Sequence, residues 1–327
     1  MKKAWLTTVI SASVLITACA TTVSPDSIAN SLKEVSLYDH DGWGGTPQAW
    51  KIQQQLDQAA SNDWLYNAAT THHNPAARAA SFYLLSRRND PRCGELLLTT
   101  LADTGRITVI CFDVWSGSSV ANYNVDHFQY HNKALPVDST RLDSTLIFTP
   151  GMGHINRLQR ILSELPAEQR YYQRIRSMAY NEGITTALYA LMRYRQDDDK
   201  AIVTEALREY AMGLNERHVH CGKEGRTNDA LAAVAIWPDS DFWQPLTEVC
   251  AYESTRTHFD YPRIYLMYAA LMAYDDQRSL ALIEKMLSEA SESLRQYHIE
   301  GFNRAFKKSP RPRYEAIARH YPCDSPF

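Results

Sequence analysis

The sequence predicts a mainly α-helical protein, an array of antiparallel helix pairs with a small irregular or β-hairpin insert around residues 104–150. Three observations carry this reading. Helix starts are marked by a capping residue followed by proline, as at Asn74-Pro75 and Asp90-Pro91. A unit of apolar helix, acidic turn and second helix recurs along the chain. One stretch, RITVICFDVW at Arg106 to Trp115, is β-branched and nearly continuous, and breaks the helical period.

Residues 46–103 read as the first helical repeats. Thr46 is placed to cap a helix with Pro47 at its first position, and Ala49, Ile52, Leu56 and Ala59 follow on one apolar face. Asn74-Pro75 opens AARAASFYLLSRR, and Asp90-Pro91 opens RCGELLLTTLAD. The insert at 104–150 then holds Arg106 to Trp115, a Ser/Gly turn in WSGSS, the polar-aromatic run NYNVDHFQYHN, and a second strand-like piece at Thr145 to Thr149. Arg106–Trp115 and Thr145–Thr149 are expected to pair as a small hairpin or insert.

Residues 151–327 return to helical spacing. ALYALMRYRQDDDKAIVTEALRE at 187–209 and YLMYAALMAYDDQRSLALIEKML at 265–287 share one outline with ASFYLLSRRNDPRCGELLLTTL at 80–101. ALAAVAIWPDSDFWQPLTEV at 230–249 repeats it with Pro238-Asp239 at the turn, and a weaker copy lies at 155–180. Units of roughly 30 to 45 residues that cannot hide their apolar faces alone stack into an α-solenoid. The pattern resembles HEAT-like repeats, which implies a stack with an extended binding face. A compact helical bundle and an α+β fold are the alternatives.

The first residues have an order of their own. Lys2 and Lys3 precede an apolar run from Ala4 to Leu15, too short for the roughly 20 residues that span a bilayer. Ile16-Thr17-Ala18-Cys19 then resembles the lipobox of bacterial lipoproteins. The resemblance implies that residues 1–18 are a cleaved signal peptide and that Cys19 becomes an acylated N-terminus, with 19–45 as a lipidated linker. Ala20 rather than Asp after the cysteine points to the outer membrane, facing the periplasm or the cell surface. An ordinary signal peptide, with Cys19 in a disulfide, is the alternative.

With 34 Lys+Arg against 37 Asp+Glu, the chain carries a net charge of −3, and losing Lys2 and Lys3 makes it more acidic. Nucleic acid, which would call for a basic stripe, is not an expected partner. The cell envelope is oxidising, so the cysteines beyond Cys19 are disulfide candidates. The local pairs Cys221–Cys250 and Cys93–Cys111 are preferred, each contributing about 3 kcal/mol. One of the remaining thiols is left over, because their number is odd.

The sequence assigns no catalytic group, cofactor or metal ligand. His218, His220 and Cys221 in HVHC lack a completing ligand set for zinc. His127 and His131 stand four apart but without the Glu of a metalloprotease helix. Asp39 and Asp41 read as a turn, and WSGSS has no nucleophile elbow. GMGH at 151–154 lacks a phosphate fingerprint, and Asp197–Asp199 and Asp275-Asp276 read as turn caps. Tyr83, Tyr189, Tyr265 and Tyr268 fall on helical faces where packing accounts for them. Trp43, Trp115, Tyr123, Phe128 and Tyr130 fall among polar residues and form a possible recognition surface. The expected function is therefore a lipid-anchored, non-enzymatic module that binds a protein partner in the envelope, in one version an immunity-type lipoprotein. The alternative is a periplasmic enzyme acting on peptidoglycan or other glycans, with its site in 104–150 or 215–228.

Overall fold

The computed structural model describes residues 23–39, 43–131, 139–214, 223–256 and 260–323, with side chains left aside at 129–131 and 223–224. The chain is mainly helical with a small three-stranded sheet. It divides into two units, residues 1–96 with 105–120 and residues 97–104 with 121–327.

The first unit is organised by an alanine-rich helix. It holds α1 (Pro25–Ser31), β1 (Val35–Ser36), α2 (Gln48–Ala59), α3 (Asn62–Thr71), α4 (Pro75–Arg87), β2 (Arg106–Cys111) and β3 (Val114–Ser119). Ala76, Ala77, Ala79 and Ala80 let α1, α3 and the sheet approach α4 closely, and Phe82, Leu84 and Leu85 fill its second half. The start of α4 is as its Asn74-Pro75 signal predicts. Asn74 Oδ1 accepts from the Ala76 amide at 3.0 Å, and its Nδ2 donates to the carbonyls of Ala29 and Leu32, tying down the end of α1. At the other end, Arg88 donates to Asp57 and Asn62 and binds the corner between α2 and α3. Asp90 accepts from Arg92 and Asn62, and hydrogen bonding to Arg92 holds its carboxyl down at about 2.

Two starts are shifted. Pro47 is itself the cap of α2, so the buried face is Ala49, Gln53 and Leu56. Gln53 satisfies both backbone groups of Ser36 on β1, at 2.7 and 3.1 Å, which is why a polar residue sits on that face. After Asp90-Pro91 the helix proper, α5 (Cys93–Thr100), begins two residues later.

The hairpin forms with a different return strand from the expected one. β2 pairs antiparallel with β3, Ile110 opposite Trp115, and β1 adds in parallel on the other side of β2. A two-residue turn at Phe112-Asp113, with Phe112 at φ 55°, sends the chain straight back, so no long loop has to close. Residues 145–148, expected as a strand, instead end α7 (Ser139–Phe148), where Leu142 and Leu146 bury at helical spacing. The run 120–131 is α6 (Val120–His131), whose Ala121, Val125 and Phe128 share one buried face.

The second unit contains the recurring pairs. After α6 and α7 come α8 (Asn156–Glu164) and α9 (Gln169–Asn181), then α10 (Thr186–Leu191) and α11 (Lys200–Ala211). Next are α12 (Lys223–Ile236) with α13 (Trp243–Ser254), α14 (Tyr261–Tyr274) with α15 (Gln277–Glu289), and α16 (Glu292–Lys308) with α17 (Glu315–His320). The first helix of each pair packs on the first helix of the next, in the succession α8, α10, α12, α14, α16. Second helices α11 and α13 pack on each other in the same way.

The acidic turns between paired helices do more than cap. Asp276 closes a capping box with Ser279 at the start of α15. Asp199 is instead buried and held by Arg176 and Tyr172 of α9, both at 2.8 Å. Lys200 reaches Asp197 of its own turn and Asp239 and Asp241 of the next, linking successive units through their turns.

Helix α16 approaches α14 closely at Gly301. A Cβ at Gly301 would lie 2.7 Å from Ile264 Cγ2 and 3.3 Å from the Tyr265 amide nitrogen. On an open helix Gly→Ala gains about 1 kcal/mol. Here Gly301→Ala is expected to lose about 1–3 kcal/mol, because the added methyl meets a packed core. Urea unfolding of the two proteins checks the sign.

Candidate binding groove

Helix α14, YPRIYLMYAALMAY, is apolar all the way round, and this creates the site. Ile264, Met267, Tyr268 and Leu271 face the core. The opposite face, with Tyr265, Leu266, Ala269 and Ala273, is only half-buried. Ala232, Ala235 and Ile236 of α12 continue this surface on one side, and Ala305 and Lys308 of α16 on the other. The result is a groove of about 280 Å³ on the layer of first helices, with small residues as its floor and Tyr189 and Tyr265 as its walls. Alanines matter here because they let a bound backbone lie close to the helix surface.

The walls carry cations. Arg193 stacks on Tyr189 at 4.7 Å and is fixed there by the carbonyls of Leu165 and Ser163. Arg304 lies 5.0 Å and Lys308 5.9 Å from the Tyr265 ring centre, and Arg311 stands beside Lys308 on the rim. Arg304, Lys308 and Arg311 are exposed, and among the described residues none has an ion-pair or side-chain hydrogen-bond partner. The lining includes no carboxylate, histidine or cysteine. Such a surface suits an anionic, partly apolar segment.

What aims α14 is a buried ionic cluster at its first turn. Arg263 is 1% exposed, and its guanidinium meets four partners, three by hydrogen bond and Asp260 by ion-pair contact alone. Nε donates to Asn228 Oδ1 of α12 at 3.2 Å. Nη1 reaches Tyr210 Oη of α11 at 2.6 Å and Glu253 Oε1 of α13 at 3.3 Å. Nη2 pairs with Asp260, the cap of α14, at 2.9 Å. Tyr210 in turn donates to Glu253 and accepts from Arg256 at 2.6 Å. Burial, reinforced by the Glu253 charge, pushes the Tyr210 phenol well above its usual value, so it stays a donor. Two arginines face two carboxylates, and the cluster closes on itself as a structural joint.

The residues singled out from the sequence lie elsewhere. Trp43 and Trp115 are 86% and 65% exposed, Trp115 on β3. Tyr123 and Phe128 are 2% and 4% exposed, buried by the helical spacing of α6, so neither offers a recognition surface. The Tyr130 side chain, and the whole of Cys19, Asp41, His218, His220 and Cys221, lie outside the described residues. His127 stacks near Tyr123, ring centres 4.1 Å apart, and the side chain of His131 is not described. WSGSS is the outer strand β3.

Cys93 and Cys111 are free thiols rather than the expected pair. Cys93 is sealed in the start of α5, where burial pushes its thiol up to about 12, and Cys111 ends β2 opposite Val114 at the hairpin turn. Cys250 is also a free, buried thiol, and its expected partner Cys221 is outside the described residues. Among the described residues no group of three or more His, Cys, Asp and Glu could hold a metal ion.

Tyr189 and Tyr265, assigned to packing from the sequence, line the groove as well. The signal was present in the apolar circumference of α14 and in the Arg/Lys cluster ending α16. Comparison with family models, with curated proteins and with solved structures finds no match for this chain.

Removing Arg263 takes the main cation from the buried Glu253 and from Asp260, which is 24% exposed. Arg263→Met is expected to cost about 3–5 kcal/mol in urea unfolding. Tyr210→Phe should cost only about 1–2 kcal/mol, because the guanidinium keeps its carboxylates.

Proposed function

We propose that this protein is a lipid-anchored, non-enzymatic module of the cell envelope that holds a protein partner through the α10–α12–α14–α16 groove. The single observation that carries this reading is the pairing of an alanine-floored apolar groove with three cations, Arg304, Lys308 and Arg311, on one side, none with an ion-pair or hydrogen-bond partner among the described residues. The segment it suits is acidic and carries an apolar anchor. The anchor buries against Ala269 and Tyr265, while carboxylates meet the rim and speed encounter by steering.

The anchoring half of the proposal rests on the order Lys2-Lys3, apolar run, Ile16-Thr17-Ala18-Cys19. Two acyl signals on one terminus hold a protein firmly at a bilayer, at about 0.8 kcal/mol per buried methylene. Among the described residues no helix is long and apolar enough to cross a membrane. The recurring helix pairs keep their resemblance to HEAT-like repeats, a scaffold suited to partner binding. An immunity-type lipoprotein, which neutralises an incoming toxin by binding it, is one form such a module takes.

The groove is tested with the exposed triple variant Arg304→Glu, Lys308→Glu, Arg311→Glu. Used as bait in envelope extracts, it should lose the acidic partner that the native chain captures, with affinity down by about 10- to 100-fold and most of the salt dependence gone. Capture of the same proteins at the same affinity by both baits would overturn the groove assignment. Separately, Cys19→Ser should move the protein from the membrane to the soluble fraction on cell fractionation. Retention in the membrane would end the lipobox reading.

A further inference from the structure

A second recess lies between α13, α15 and α16, independent of the groove. The side chains of α13 that face it, Thr247, Cys250, Ala251 and Ser254, recur at helical spacing and are all small. Leu282 and Met286 of α15 and Leu294 of α16 are too short to fill the space across from them, and a cavity of about 280 Å³ remains. That is at the lower end of the roughly 300–1,000 Å³ typical of small-molecule sites.

One buried polar group belongs to this cavity. His298, 5% exposed, lines it from α16. Its Nδ1 is 2.9 Å from the hydroxyl of Tyr268, which is fully buried. Among the described residues Nε2 makes no hydrogen bond, and it is not among the enclosed polar atoms, so it opens to the recess. A buried phenol must donate its proton, and His298 Nδ1 is the acceptor the structure gives to Tyr268. The proton of the neutral imidazole then sits on Nε2, which becomes a donor without an acceptor. Burial holds the His298 pKa below the ordinary histidine value, in keeping with a neutral ring at pH 7.

The mouth adds no net field. Lys285 and Glu289 stand one helical turn apart with Nζ and Oε2 at 4.0 Å, so their charges cancel toward an entering molecule. The Cys250 thiol at the inner wall is kept protonated by burial and presents an apolar surface. An ion has no counter-charge here, whereas an apolar body with one accepting oxygen meets both the walls and the idle donor.

We propose that this cavity is a binding site for an uncharged, largely apolar small molecule carrying one hydrogen-bond-accepting oxygen, which His298 Nε2 receives.

The test uses the full chain and the uncharged fluorophore 6-propionyl-2-(dimethylamino)naphthalene, which has an apolar ring system and a single carbonyl. The expected result is saturable one-to-one binding with blue-shifted emission. Ala251→Leu, which narrows the recess, should weaken binding by about tenfold or more, and His298→Phe, which removes the donor together with the acceptor of the Tyr268 hydroxyl, by about tenfold in the folded protein. The carboxylate analogue of the probe should bind the native chain about tenfold more weakly or not at all. Far-ultraviolet circular dichroism and thermal unfolding confirm that each variant is folded. If Ala251→Leu misfolds, Ser254→Leu, at an exposed position of the same wall, takes its place. Absence of saturable binding, or unchanged affinity in a folded Ala251→Leu or Ser254→Leu protein, would each overturn the proposal.

Discussion

The buried guanidinium of Arg263 is the constraint on which the second unit depends. A charge so enclosed costs several kcal/mol unless it is fully matched. Here the matches come one from each neighbour: Tyr210 on α11, Asn228 on α12, Glu253 on α13 and Asp260 at the start of α14. Each partner has to arrive at its own distance, so four helices are placed relative to one another by a single side chain. Hydrophobic packing alone is non-directional and would tolerate rotation of α14 about its axis. The ionic joint does not. With Arg263 held, Ile264 and Tyr268 must point inward, and Tyr265 and Ala269 must point to the groove.

The same stacking produces both recesses by different means. The groove arises because α14 is apolar on the face the stack leaves open, so surface that would normally be buried is presented to solvent. The second recess arises because α13 presents small side chains toward α15 and α16, so a partly open hollow remains between the three helices. Gly301 sets how tightly α16 closes on α14, and so also fixes Ala305 and Lys308 at the groove edge. Turn residues hold the spacing of units: Lys200 bridges the acidic turns at 197 and 239–241, and Asp199 anchors its own turn to α9. The acidic turns that look like simple caps in the sequence therefore also carry contacts between repeats.

Local signals were legible where local physics decides. Asn74-Pro75 starts α4 and Asp276 caps α15, because a cap is satisfied within three residues of itself. The hairpin stretch was recognisable from its β-branched residues, but its return strand was not. Ser116, Gly117 and Ser118 have little strand propensity of their own and are drafted by β2 through the tight Phe112-Asp113 turn. TLIFT has strand-like composition, yet Leu142 and Leu146 find a core at helical spacing, so packing overrides propensity. The aromatics of 123 and 128 went the same way: polar neighbours suggested a loop, and the helix turned both rings inward.

The sequence by itself determined the helical class, the recurring pair and the helix starts at Asn74-Pro75 and Asp276. Each is written in spacing or in a short run of neighbours. Only the tertiary structure decided which faces of those helices stay open, which cysteines remain thiols and which polar groups are buried. Those outcomes depend on residues far apart in the chain. Arg263 meets Tyr210 across 53 positions and Tyr268 meets His298 across 30, and no local pattern announces either meeting. The groove and the cavity exist because of such pairings, so neither is visible until the helices are stacked.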